Sequence, residues 1–243
     1  MKKEYGYILI AYIIMQLSGL IGYPLVYKLG VSQGMDPATM QELTPGYWLV
    51  SSFTLTLLVI WLIMRRSTFR NKIEQEAPLP LIPSVFWAIA GVFLALFSQR
   101  IAIAIESMLG IEMGSENTEN IMNIIETVPI TMIVASIIGP ILEEIVFRKI
   151  IFGSLYGKFS FAVSALISSA IFAIAHMELE HILLYSAMGF TFAYLYVKTK
   201  RLIVPIIAHV SMNTLVVIVQ YVYGDEMQRM IDEAERIQNF IMF

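Results

Sequence analysis

Long apolar runs, separated by short polar breaks, fill most of the chain. A bilayer core asks for about 20 apolar residues per helix, and about 18 make a candidate. Seven segments approach that length. They run from about Tyr7 to Tyr27, Tyr47 to Met64, Pro83 to Gln99, Pro129 to Tyr156, Phe159 to His176, Ile182 to Val197 and Leu202 to Tyr223. The pattern predicts an all-α fold, a polytopic transmembrane helix bundle of about seven spans. An eighth span would move the C-terminus to the other side. The first run opens like a signal peptide, behind Lys2 and Lys3. It has no small-residue cleavage site and is too long for such a peptide's apolar region, so it reads as an uncleaved anchor. Pro83 and Pro129 stand where a first helical turn tolerates proline. Tyr47, Trp48, Trp87, Tyr221 and Tyr223 fall near the expected helix ends, where interfacial aromatics belong.

Beyond Tyr223 the chain is too charged to span. Met227, Met230, Ile231, Ala234, Ile237 and Ile241 recur at helical spacing. They predict an amphipathic helix over 225–243, lying on the membrane surface or on the protein. A solvated tail helix fits the same spacing. No internal repeat interrupts the single membrane domain of 1–243.

Composition sharpens this picture. Of 243 residues, 58% are hydrophobic and 14% charged, with a net charge of -3. A soluble domain carries roughly 25% charged residues. The mean hydropathy is +0.73. A disordered chain, a nucleic-acid binder and an ordinary soluble enzyme do not have this balance. The partners it implies are membrane lipid and a protein or peptide, with no nucleic acid. Cysteine is absent, which removes disulfides, cysteine-ligated zinc and thiol catalysis. Of the 16 basic residues, twelve fall on one side when the N-terminus is placed inside. These are Lys2, Lys3, Arg65, Arg66, Arg70, Lys72, Arg148, Lys149, Lys158, Lys198, Lys200 and Arg201. The outer side keeps Lys28, Arg100, Arg229 and Arg236, and its loop from Glu106 to Glu126 is acidic. The skew predicts a cytoplasmic N-terminus in a cell membrane.

A few polar residues depart from the pattern. Glu143 and Glu144 lie about halfway along the fourth run, with Arg148 just beyond. A charge at mid-bilayer costs about 2.5–3.5 kcal/mol on insertion scales. Glu144 and Arg148 are four apart and share a helix face, so they can pair. Glu143 lies about 100° round the helix from Glu144 and has no local partner. An apolar setting favours the neutral form of a carboxyl group, which suits a general base. Gly139-Pro140 lies one turn earlier and predicts a kink beside the glutamates. The bland alternative is a helix–helix salt bridge without chemistry. Two adjacent glutamates exceed what one arginine balances.

Two of the three histidines also lie in apolar runs. Phe172 and His176 are four apart on the fifth, and His209 and Asn213 are four apart on the seventh. A lone histidine in a bundle is commonly a satisfied interhelical hydrogen bonder. Two histidines, an asparagine and an unpaired glutamate on three helices point to convergence instead. His181, in the short acidic turn after His176, reads as a loop residue. Two chemistries fit. Glu143 and a histidine can activate water against a peptide carbonyl, with His209 and Asn213 stabilising the oxyanion. Alternatively His176, His209 and a glutamate such as Glu143 can hold a divalent metal, zinc for example, that acidifies water. No HExxH motif is present, and the residues leave both chemistries open.

Glu143-Glu144-x-x-x-Arg148, Phe172-x-x-x-His176 and His209-x-x-x-Asn213 resemble, in order, the three signature motifs of the CPBP family. That is the CAAX protease and bacteriocin-processing family, also called Abi, which includes the Rce1-like type II CAAX prenyl endopeptidases. The resemblance covers about Pro129 to Tyr223, and every motif position is intact. It implies an intramembrane endopeptidase with its catalytic cavity inside the bundle. Carried over by motif, Glu143 and His176 would activate water, and His209 and Asn213 would form the oxyanion site. Glu144 and Arg148 would pair and orient the site, with Phe172 packed beside His176. The resemblance leaves the metal open, because both metal-dependent and glutamate-type mechanisms are argued for the family. Two rivals remain: a family member serving as a bacteriocin self-immunity or regulatory scaffold, and a transporter with a midplane ion site. One tension is geometric. His176 should lie about 25 Å along its helix and His209 only about 10 Å along its own, at 1.5 Å per residue.

Overall fold

The computed structural model describes residues 3–67, 70–112 and 114–242. Nine helices and no strand form the described residues. The expected first span is two helices, α1 (Lys3–Leu17) and α2 (Gly19–Ser32), which meet at 53°. The break falls at Ser18-Gly19, a pair that kinks helices readily. The Ser18 hydroxyl turns back to the carbonyl of Met15 at 2.6 Å and accepts from the Trp48 indole at 3.1 Å.

Helix α3 (Pro37–Arg66) begins ten residues before the hydropathy rises. Asp36 caps it, accepting from the Thr39 amide at 2.9 Å, and Pro37 occupies a first-turn position where no amide is needed. Trp48 therefore sits well inside α3 rather than near its end. A Cβ at Gly22 would lie 2.0 Å from its ring, so only glycine lets α2 approach α3 this closely. Helix α4 (Leu81–Met108) runs on past Gln99. Within the expected acidic loop stands a further helix, α5 (Glu116–Thr127), capped by Ser115.

Helix α6 (131–156) is helical throughout but not uniform. Val134–Ile138 and Glu144–Phe152 are π-helical, and Gly139–Glu143 between them is α-helical. Pro140 stands in the first turn after a π segment. A wider turn thus absorbs the proline, where the sequence predicts a kink. Helix α7 (Phe161–Ala175) ends with His176 as its C-cap, and Met177 follows at φ 61°. Helix α8 (Ile182–Thr199) follows a single 3-10 turn at Leu179–His181. Helix α9 (Ile203–Met242) is one uninterrupted helix. The expected tail helix is therefore its continuation and not a separate element. Its apolar positions Met227, Met230, Ile231, Ala234, Ile237 and Ile241 lie outside the described side chains.

Among the described residues, three helices are long and apolar enough to cross a bilayer, at 37–66, 81–108 and 203–224, or four if α1 and α2 form one bent span. Helix α7, at 15 residues, is a shorter apolar helix. The core gathers Leu142, Phe147 and Ile150 of α6, Phe172 of α7, Phe192 and Leu195 of α8 and Ala208 of α9. Gly189 lets α8 press against Ser169 of α7: an added Cβ would stand 3.1 Å from the Ser169 Cα.

At one end the polar connections are tied together. Asn71 donates to the Tyr196 hydroxyl at 2.9 Å and to the Lys149 carbonyl at 3.1 Å. Lys149 pairs with Glu74, Lys200 with Glu76, and Arg201 donates to the carbonyl of Leu79 at 2.7 Å. Lys149 of α6 and Lys200 and Arg201 between α8 and α9 therefore meet the α3–α4 connection at one end of the bundle.

Candidate active site

Helix α6 delivers both glutamates, but to different surroundings. The Glu144 side chain is fully buried and Glu143 is 18% exposed. Arg148, also fully buried, stands 3.2 Å from Glu144 Oε1. Its guanidinium lies over the rings of Phe172, at 4.7 Å, and Phe192, at 5.5 Å. Cation–π contact thus supplements a single ion pair in a fully buried place.

The same Glu144 oxygen receives His209 Nδ1 at 3.0 Å. A carboxylate only accepts, so Nδ1 carries a proton there and the ring is oriented as in a carboxylate–histidine pair. The ring is stacked on Phe192 at 4.5 Å. Its other nitrogen, Nε2, stands 3.7 Å from Glu143 Oε2. Glu143 therefore has a partner across the bundle, which the sequence did not show. Asn213, one turn along α9, donates to the carbonyl of Ala135 at 3.5 Å. That bond is long and weak, so the amide is cheap to redirect.

His176 is placed differently. Nδ1 lies 2.8 Å from the carbonyl of Phe172 in its own last turn. A carbonyl accepts only, so Nδ1 bears the proton and Nε2 is the nitrogen left to act as a base. The ring stacks on Tyr185 at 4.0 Å, with 26° between planes. Phe172 touches both histidines, at 4.5 Å from His176 and 6.2 Å from His209. The geometric tension resolves here: His176 stands at the tip of a short helix, His209 lies low on a long one, and a fully buried ring contacts both.

Glu143, Phe172, His176, His209 and Asn213 line one cavity of about 470 Å³. Glu144 and Arg148 stand behind its wall. Tyr12 of α1, Trp48 of α3 and Met122 of α5 also line it, so helices outside the three that carry the motifs help to enclose it. The metal expectation fares differently. Among the described residues no three His, Asp or Glu side chains gather closely enough to hold a metal ion, Glu143, His176 and His209 included. As they stand, these donors do not fit a metal.

Several contributors carry no sequence motif. His181 is no loop bystander: it is 6% exposed and its Nδ1 meets Glu106 Oε2 at 3.0 Å. Glu106, expected to open an outer loop, is buried in the last turn of α4 and accepts from the amides of Leu183 and Leu184, both at 3.1 Å. Glu178 binds Ser115 and Tyr185 as well as the Asn117 amide. Apart from the Glu178–Tyr185 bond, these ties join residues 61 or more apart, and nothing in the local pattern marks them.

Comparison with known proteins places this geometry. Residues 125–215 match the family model described as type II CAAX prenyl endopeptidase, Rce1-like. That stretch holds all seven motif residues. The chain is 52% identical to the putative membrane peptidase YdiL of Bacillus subtilis, over 90% of each chain. The chain belongs to the Rce1-like family. It is 36% identical to the membrane-embedded CAAX protease MroQ of Staphylococcus aureus, over 77% of each chain. It is also 29% identical to the UPF0177 protein YxdF of Lactococcus lactis, over 66% of this chain and 89% of that one. No solved structure matches. The chain is thus a multi-pass membrane protein and a membrane peptidase.

Proposed function

We propose that this peptidase hydrolyses peptide bonds of membrane-associated proteins or peptides, using a water activated by Glu143 and His176 inside the bundle. The supporting observation is the shared cavity: a part-exposed carboxylate, a histidine with Nε2 left to act as a base, and two further polar groups face one enclosed space. Glu143 takes a proton from water while the oxygen attacks the carbonyl carbon. His209 and the Asn213 amide stabilise the oxyanion that forms. Collapse breaks the C–N bond, and the proton taken by Glu143 or His176 passes to the departing amine nitrogen. Glu144 and Arg148 touch no substrate in this scheme. They fix the His209 ring. The scheme routes no step through a metal.

The enclosing side chains are mostly apolar, which suits an extended, apolar stretch of substrate. The basic end of the bundle faces the cytoplasm in this reading, with the N-terminus beside it, and the chain sits in a cell membrane. Comparing the membrane proteomes of cells carrying wild type and Glu143→Gln tests the reading. Fragments that disappear with Glu143→Gln are expected. An unchanged fragment set, with a wild-type phenotype, would instead indicate a scaffold.

A further inference from the structure

Glu178 lies two residues beyond His176 and is 8% exposed. Its carboxylate accepts from three donors on two separate stretches of chain. The Ser115 hydroxyl lies at 2.9 Å and the Asn117 amide at 2.8 Å, both at the start of α5. The Tyr185 hydroxyl lies at 2.5 Å, on the first turn of α8. A charge-assisted bond of this length is among the stronger ones available to a neutral hydroxyl. Tyr185 is 6% exposed, and its ring is the one stacked on His176.

The two ends of this connection do different things. Helix α5 covers the cavity: Ile121 and Met122 face into it, and Ile125 is fully buried beneath. Its opposite face carries Glu119, Asn123 and Glu126, all exposed. Tyr185, at the other end, sets the plane of the His176 ring. The stretch between them is short and held at both limits. Met177 adopts a left-handed conformation that a side chain rarely takes, with φ 61°, and such a conformation persists only where the surroundings fix it. Glu106 fixes the far limit through His181 and the amides of Leu183 and Leu184. With α8 anchored there, the Tyr185 hydroxyl has one strong acceptor, and that acceptor also holds α5.

We propose that Tyr185 and Glu178 are positioning residues for the reaction, Tyr185 holding the His176 ring and Glu178 joining that support to α5 over the cavity. Seating α5 and setting His176 then become one event, so the base is in place when the cavity is covered. The proposal rests on the reading of Glu143 and His176 as the water-activating pair. Neither Tyr185 nor Glu178 belongs to the three motifs.

The test uses the full-length protein purified in detergent and a quenched fluorescent peptide that spans a cleavage site found in the membrane-proteome comparison. Tyr185→Phe keeps the stacked ring and removes the hydroxyl; Tyr185→Ala removes both. The expected kcat falls about tenfold for Phe and about a hundredfold for Ala, the scale of a small misplacement of a catalytic group, with KM within about twofold. Glu178→Gln is expected to fall with Tyr185→Phe and to add little in the double variant, because both break the same connection. Hydrogen exchange checks the link without substrate. In Glu178→Gln, exchange should quicken together in 115–127 and in 176–185, with the rest of the bundle unchanged. Wild-type kcat in both Tyr185→Phe and Glu178→Gln, while Glu143→Gln is inactive, overturns the proposal and leaves the proposed chemistry standing. Faster exchange in only one of the two segments overturns the coupling. Cleavage by Glu143→Gln overturns the reading beneath it as well.

Discussion

Arg148 is the most demanding residue in the protein. Its guanidinium is fully buried, and it has one carboxylate and two aromatic faces around it. Removing one member of a buried pair leaves the other charge without compensation, at a cost of about 3–5 kcal/mol. Arg148→Ala should therefore lower stability by that amount in a thermal melt in detergent. Arg148→Lys should not restore it, because an ammonium cannot lie flat between two rings. Glu178 makes a second prediction at this scale. Burial raises its pKa, but the Asn117 amide, the Tyr185 and Ser115 hydroxyls and the charge of His181 outweigh that and hold it below the ordinary glutamate range. A depressed pKa means stabilisation that is complete above the unfolded value, near ~4.3, and is lost as pH falls through the folded one. Exchange protection in 115–127, taken against the intrinsic amide rate at each pH, should thus be full at neutral pH and fall only in acid below that range. Six of the motif residues were legible as pairs four apart, and Glu143 as a second carboxylate in an apolar run. Glu178, Tyr185 and Glu106 were not, because their partners are brought together by packing alone.

Helices were legible where apolar runs were long and illegible where local chemistry intervenes. Periodicity located the runs later occupied by α3, α4, α6, α7, α8 and α9. It missed the break at Ser18-Gly19, since hydropathy continues smoothly across it. It missed the early start of α3, since Asp36-Pro37 is a capping signal and carries no hydropathy. It also left α5 inside an acidic loop, although Ser115 and the apolar spacing of Ile121, Met122, Ile124 and Ile125 mark an amphipathic helix. The α7–α8 contact supplies the test at this scale. Gly189→Ala places a Cβ 2.7 Å from Ser169 Oγ and 3.1 Å from its Cα. The backbone atom cannot swing aside, so the two helices must part. The expected loss is about 1–3 kcal/mol in the same melt. Since α7 carries His176 and α8 carries Tyr185, peptide cleavage should fall with it.

The whole molecule has two unlike ends. Lys149, Lys200 and Arg201 meet Glu74, Glu76 and Leu79 at one; Glu178 and α5 lie at the other. The chain has no cysteine, so single introduced cysteines report their side without background. Lys158→Cys should react with an impermeant maleimide only after the cells are opened, and Glu119→Cys in intact cells. The reverse pattern would invert the proposed orientation. Between those ends the molecule encloses one polar site in an apolar bundle, and the central claim is that Glu143 activates water there. Its most direct measurement is the kcat of purified wild type and Glu143→Gln on one peptide, with matching melts showing both folded. A loss of about a hundredfold or more is predicted, the scale of a missing general base. Cleavage at the wild-type rate by folded Glu143→Gln would contradict it.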